Sequence, residues 1–64
     1  MFVYRLYVYF KETGAYNEIG AGHVFTTLKA VVEFGKVRGL IPGVSRATIS
    51  RFNNYGDWFD DRRF

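Results

Sequence analysis

The chain has 64 residues, of which 48% are hydrophobic and 20% aromatic, with nine cations against six carboxylates and no cysteine. This length allows one domain only, and the lack of cysteine excludes a disulfide framework and a cysteine-ligated metal. The aromatic content argues against intrinsic disorder, because disordered chains are poor in large rings. No apolar run reaches the roughly 18 residues that a membrane-spanning helix requires, so we expect a cytoplasmic protein with no membrane partner.

The first half of the chain predicts a β-hairpin. Residues 2–11 are almost entirely β-branched or aromatic, which favours a strand. Gly14 supplies the turn into a second, returning strand at residues 15–19. The run from Leu6 to Phe10 carries no charge and would be an aggregation hazard at a sheet edge. We therefore expect the first strand in the centre of the sheet.

A helix is predicted over residues 27–38. Apolar side chains recur there at helical spacing, with Thr26 or Thr27 as the cap at its start and Gly39 at its end. Gly35 lies within the apolar stripe, where a glycine costs about 1 kcal/mol of helix propensity relative to alanine. That position therefore indicates a close approach of another part of the chain.

The remaining segments complete a small α+β domain of residues 1–64. Residues 44–52 predict a third strand, and residues 57–64 predict either a fourth strand or a packed tail. The order β-β-α-β, with the fourth strand in addition, is typical of one antiparallel sheet covered by one helix.

Alternation along the first strand leaves its second face unusually apolar. The face that we expect beneath the helix carries Phe2, Tyr4, Leu6, Val8 and Phe10. The opposite face carries Val3, Arg5, Tyr7, Tyr9 and Lys11. An exposed apolar patch marks an interaction site in many proteins. The sequence leaves three alternatives for what covers this face: the aromatic tail folded back over it, a second copy in a homodimer, or a foreign partner.

The third strand extends this second face if Ala47 and Ile49 point inward. In that phase Arg46, Thr48 and Ser50 lie outward beside the tyrosines. Val44 and Phe52 have the opposite phase from Ile49, which a β-bulge would reconcile. Residues 29–51 hold five cations against one carboxylate, a net charge of +4, but the helix lysines lie on the far side of the sheet.

The sequence predicts no enzyme, no cofactor and no metal site. His23 is the only histidine, and a chain of this length has little volume for a substrate pocket. The glycines at Gly20 and Gly22 do not complete a phosphate-binding motif. The three aspartates near the end lack the spacing of a calcium loop and are followed by two arginines.

These observations favour a non-enzymatic binding protein that acts by steric occlusion, covering part of a larger protein or nucleoprotein. In size and composition the chain resembles the small inhibitors that phages encode against host machinery, although no motif is shared. The predicted partner-binding residues are Arg5, Tyr7, Tyr9, Lys11, Arg46, Arg51 and Trp58. One alternative is a single-stranded nucleic-acid-binding module, in which rings stack on bases and cations meet phosphates. Another is a homodimeric structural protein whose sheet face is buried between two copies.

Overall fold

The computed structural model describes residues 1–64 and contains five elements, four strands and one helix. These are β1 (Phe2–Phe10), β2 (Ala15–Ile19), α1 (Leu28–Val37), β3 (Ala47–Asn53) and β4 (Trp58–Arg63). The strands lie in the order β2-β1-β3-β4, and every neighbouring pair is antiparallel. The predicted α+β class, one antiparallel sheet with one helix, is confirmed. The apolar β1 lies in the sheet interior, as its composition required.

A tight turn joins β1 to β2. Gly14 has a φ of 68°, a left-handed conformation that glycine adopts without strain, and its N–H donates to the carbonyl of Phe10 at 2.8 Å. This turn takes up residue 11, so β1 ends one residue before the predicted boundary. It also sets the hairpin register, in which Phe10 pairs with Ala15.

Both ends of α1 are capped as the sequence predicted. The side chain of Thr27 accepts a hydrogen bond from the N–H of Ala30 at 3.2 Å, which identifies Thr27 rather than Thr26 as the cap. At the other end Gly39 has a φ of 86°, and the N–H of Leu40 donates to the carbonyl of Gly35 at 3.0 Å. The predicted range exceeds the helix by one residue at each end because it included the two caps.

The third strand begins later than the predicted residue 44. The N–H groups of Val44 and Ser45 both donate to the carbonyl of Ile41, at 3.0 and 2.9 Å, and the side chain of Ser45 accepts from the N–H of Ile41 at 3.0 Å. This turn occupies the backbone groups that a strand would need, so β3 starts only at Ala47. Val44 lies outside β3, so its apolar character does not indicate which residues of the strand face the helix.

The last segment forms β4 along the outer edge of β3, so it extends the sheet instead of covering it. Of the two alternatives for residues 57–64, the fourth strand is confirmed, and the folded-back tail, one of the three covers left open for the second face of β1, is wrong. Arg51 pairs with Asp60 while Phe52 pairs with Trp58, which leaves Phe59 as the extra residue of a bulge. The bulge suggested for the third strand is therefore wrong: β3 alternates without interruption, and the bulge lies in β4.

The core lies between the sheet and α1. Leu6, Val31 and Ile49 are fully buried there. The ring of Phe64, the residue after β4, returns under the helix and is 8% exposed. It packs directly against Gly35, where a Cβ atom would lie 2.6 Å from the ring, so the predicted close approach is confirmed. No helix in the structure is long and apolar enough to cross a membrane.

Candidate binding face of the sheet

α1 lies on the face of the sheet that carries Leu6 and Ile49, which leaves the other face without a covering helix. Residues paired across neighbouring strands lie on the same face of the sheet, so the pairing registers show which residues belong to the uncovered face. We call this surface the open face. Its members are Val3, Arg5, Tyr7, Tyr9, Tyr16, Glu18, Arg46, Thr48, Ser50, Phe52, Trp58, Asp61 and Arg63.

One end of the open face is built around Tyr9. Its ring centroid lies 5.2 Å from that of Tyr16 on β2, and the two planes are tilted by 59°. The guanidinium of Arg46, just before β3, lies 4.4 Å from the centre of the Tyr9 ring. Tyr7 and Arg63 lie one step further along, on either side of Thr48 in the ladder. Three predicted partner-binding residues, Tyr7, Tyr9 and Arg46, are therefore brought together.

The other end of the open face is built around Arg5 and Phe52. The Arg5 guanidinium lies 5.2 Å from the centre of the Phe52 ring and 3.9 Å from the carboxylate of Glu18. Phe52 is paired in turn with Trp58 on β4, whose side chain is 62% exposed. The predicted residues Arg5 and Trp58 thus lie on the same surface as the tyrosines.

A carboxylate holds the indole of Trp58 at the edge of this face. The Nε1–H of Trp58 and the hydroxyl of Ser50 both donate to one oxygen of Asp61, at 2.9 and 2.7 Å. The hydrogen bond from Ser50, followed by that from Trp58, lowers the pKa of Asp61 below its ordinary value. The carboxylate is therefore charged over a wider pH range, and it orients the largest ring of the surface.

Arg51, predicted to be a partner-binding residue, does not lie on the open face. It alternates with Ser50 and Phe52 and therefore points to the helix side of the sheet. Its guanidinium lies 4.5 Å from the ring centres of both Phe2 and Phe59, and makes two hydrogen bonds to Asp60 at 2.9 and 2.6 Å. Donation of these hydrogen bonds to the Asp60 carboxylate raises the pKa of Arg51 above its ordinary value. Arg51 thus fastens β4 to the sheet.

The remaining predicted residue, Lys11, lies in the exposed turn after β1. Three further residues of the open face were not predicted from the sequence: Tyr16, Phe52 and Arg63. The hairpin could have indicated Tyr16, since a four-residue turn between Phe10 and Ala15 places it opposite Tyr9.

The open face contains no pocket, and the chain holds no cluster of three residues suited to a metal ion. His23 packs against Phe25 and Phe34 on the helix side of the sheet. Comparison of the chain with protein-family models, curated proteins and solved structures gives no significant match.

Proposed function

We propose that this protein is a binding module whose open face docks on a larger protein and blocks part of its surface. One observation carries the proposal: five rings and three arginines from four strands share a single uncovered sheet face. Large uncovered aromatic surfaces are uncommon on small monomers and mark interaction sites. Its partner is expected in the cytoplasm, where a chain without cysteine loses nothing by lacking disulfides.

The composition of the open face is that of a protein-binding hot spot. Tryptophan, tyrosine and arginine contribute most of the binding free energy in protein interfaces. Among the rings of the open face, Trp58 and Tyr16 have high exposed fractions, 62% and 56%. Their positions on the two edge strands place them on opposite sides of the face, so a partner would contact both only by covering the whole sheet.

Two of the three arginines of the open face already contact neighbouring side chains of the same face in the isolated chain. Arg46 lies over Tyr9, and Arg5 lies over Phe52 and beside Glu18. An ordered side chain loses little conformational entropy on binding, which leaves more of the interaction energy as affinity. A face with arginines ordered in this way supports steric occlusion, in which the module acts by covering a surface.

Charge and stacking favour protein over nucleic acid as the partner. The three arginines of the open face are opposed by Glu18 and Asp61, which leaves a net charge of only +1. Carboxylates repel phosphates but match the mixed charge of a protein surface. In addition, Arg46 and Arg5 cover the Tyr9 and Phe52 rings on which a base would stack.

The test is retention of a cellular protein by the immobilised chain and by two matched variants. Tyr16→Ala removes a ring from the open face, whereas Tyr55→Ala removes an even more exposed ring from the β3–β4 turn. We expect one protein to be retained by the wild type and by Tyr55→Ala, and to be lost or weakened about tenfold or more with Tyr16→Ala. Equal retention by all three chains would exclude the open face as the docking surface.

A single-stranded nucleic acid is the second candidate partner, favoured by the tyrosine end of the face. There Arg46 and Arg63 flank the rings, and Glu18 is the only acid on the strands, while the adjoining turn holds both Lys11 and Glu12. Binding of a labelled single-stranded oligonucleotide would then weaken with salt, with a slope of about −0.7 for each phosphate contacted. Nuclease treatment of the retained material separates the two candidates, since only a nucleic-acid partner is lost.

A further inference from the structure

We infer that the free edge of β2 joins two copies of this chain through an antiparallel pairing with a two-fold axis at Asn17. The inference concerns backbone pairing at the edge of the sheet; it shares Tyr16 and Glu18 with the open face but does not depend on the proposed function.

The outward hydrogen-bonding groups of β2 belong to Tyr16 and Glu18. The N–H of Tyr9 donates to the carbonyl of Arg46 on the β3 side, so the backbone of Tyr9 makes no hydrogen bond to β2. Backbone direction alternates along an antiparallel strand, so Ala15, Asn17 and Ile19 bond to β1 while the residues between them point away. No turn or loop residue donates to or accepts from the backbone of these two residues.

The two edges of the sheet are protected to very different degrees. β4 carries four consecutive charged residues, Asp60 to Arg63, and a bulge, both of which discourage the addition of a strand. β2 has one charged residue, no lysine, no proline and an uninterrupted register with β1. The unprotected edge is therefore β2.

β2 is also self-complementary in the register centred on Asn17. Tyr16 of each copy then faces Glu18 of the other, and the two residues exchange both backbone hydrogen bonds. The Tyr16 hydroxyl can donate to the Glu18 carboxylate, which has acceptor capacity to spare because its ion pair with Arg5 is long, at 3.9 Å. The two Asn17 side chains meet at the axis, where amides can hydrogen-bond to each other.

The corresponding pairing of β4 is disfavoured. The backbones of Asp61 and Arg63 point outward there, so a two-fold pairing would place Arg62 opposite Arg62 of the second copy. Like charges directly opposite each other destabilise a strand pair. Centring the β2 pairing on Glu18 would bring two carboxylates opposite each other and has the same defect, whereas the centre at Asn17 separates the two carboxylates and pairs each with a tyrosine.

Such a dimer would form one eight-stranded sheet. An axis perpendicular to the sheet places both open faces on one side and both helices on the other. Five-residue strands bury a small interface, below about 1,200 Å², so the association is expected to be weak and concentration-dependent.

Sedimentation equilibrium from about 10 µM to about 1 mM tests the inference, since weak interfaces are populated in this range. Asn17→Lys places two cations at the axis, and Asn54→Lys makes the same change of charge in the exposed β3–β4 turn. We expect the wild type and Asn54→Lys to dimerise, and Asn17→Lys to dimerise about tenfold more weakly. A wild type that stays monomeric overturns the inference, as does equal association of the three chains or equal weakening of both variants.

A mixture of charge-swapped variants tests the register itself. Asn17→Lys and Asn17→Asp should each be largely monomeric alone but should form a mixed dimer, because opposite charges then meet at the axis. Asn17 is exposed and its backbone pairing is unchanged, so circular dichroism should show both variants folded. Failure of the mixture to associate, with a dimeric wild type, overturns the two-fold axis at Asn17.

Discussion

The ring of Phe64 occupies the space that a side chain at Gly35 would need. A Cβ atom at that position would lie 2.6 and 2.7 Å from two ring atoms of Phe64 and 3.3 Å from Leu6. Glycine costs helix propensity here, but it lets the chain end bury an aromatic ring beneath α1. Burial of such a ring stabilises the fold by about 1.5–3 kcal/mol, more than the helix gains from alanine.

Gly35→Ala is therefore expected to lower the free energy of unfolding by about 1–2 kcal/mol, because it displaces the Phe64 ring. The check is urea denaturation of Gly35→Ala, of Phe64→Ala and of the double variant. With the ring absent, the alanine should cost little or become stabilising. Additive effects of the two substitutions would contradict the contact.

Asp61 is expected to make stability depend on pH. Its pKa is lowered in the folded state from an ordinary value of 3.8, so the unfolded chain binds this proton more readily. The contribution is fully present above about pH 5 and is lost as the pH falls through the folded-state pKa. Asp61→Asn should thus destabilise the protein more at about pH 6 than at about pH 3.

Urea midpoints at the two pH values measure this difference. Glu12→Gln, in the exposed β1–β2 turn, is the control, because Glu12 makes no side-chain hydrogen bond or ion pair. A pH-independent effect of Asp61→Asn would show that the charge of the carboxylate is not what Ser50 and Trp58 stabilise.

At the scale of elements, the caps of α1 fix where the helix begins. The side chain of Thr27 satisfies the N–H of Ala30, whereas Thr26 makes no side-chain hydrogen bond. Thr27→Ala should therefore lower the free energy of unfolding by about 1 kcal/mol, and Thr26→Ala should have little effect. Thermal or urea unfolding of both variants measures this difference, and equal losses of unfolding free energy in the two variants would contradict Thr27 as the cap.

The boundaries of the elements show which structural features nearby residues in the sequence are enough to predict. The β1–β2 turn, the helix and its glycine end depend on residues within four or five positions, and the sequence predicted all of them. The start of β3 was misplaced because an apolar Val44 favours a strand, while the turn that holds it depends on Ser45 bonding back to Ile41. Hydrophobicity alone does not distinguish these two cases.

At the scale of the whole molecule, the residues that stabilise the sheet and the residues proposed to bind a partner lie on opposite faces. Arg51 ties β4 to β1 and β3 on the helix side, whereas Arg46 lies on the open face over Tyr9. Arg51→Ala should therefore lower the urea midpoint and leave partner retention unchanged under conditions where it is folded. Arg46→Ala should weaken retention with little loss of stability. The reverse pattern would contradict the assignment of the two faces.

The candidate face was predictable in part. Tyr7, Tyr9 and Arg5 follow from alternation along a single strand, which needs no knowledge of the other strands. Phe52 and Arg63 could not be assigned, because their face depends on where β3 starts and on the bulge at Phe59. Arg51 was grouped with the open face only because that phase was unknown.

The sequence by itself determined the class of fold, the central place of β1, the caps of α1 and the surplus of aromatic residues. These follow from composition, alternation and contacts between near neighbours in the chain. Only the tertiary structure decided where the surplus rings lie. The chain end pairs with β3 and buries Phe64 beneath the helix, which leaves Trp58 at the edge of an uncovered face. Strand pairing and bulges join residues distant in sequence, so no local pattern encodes them.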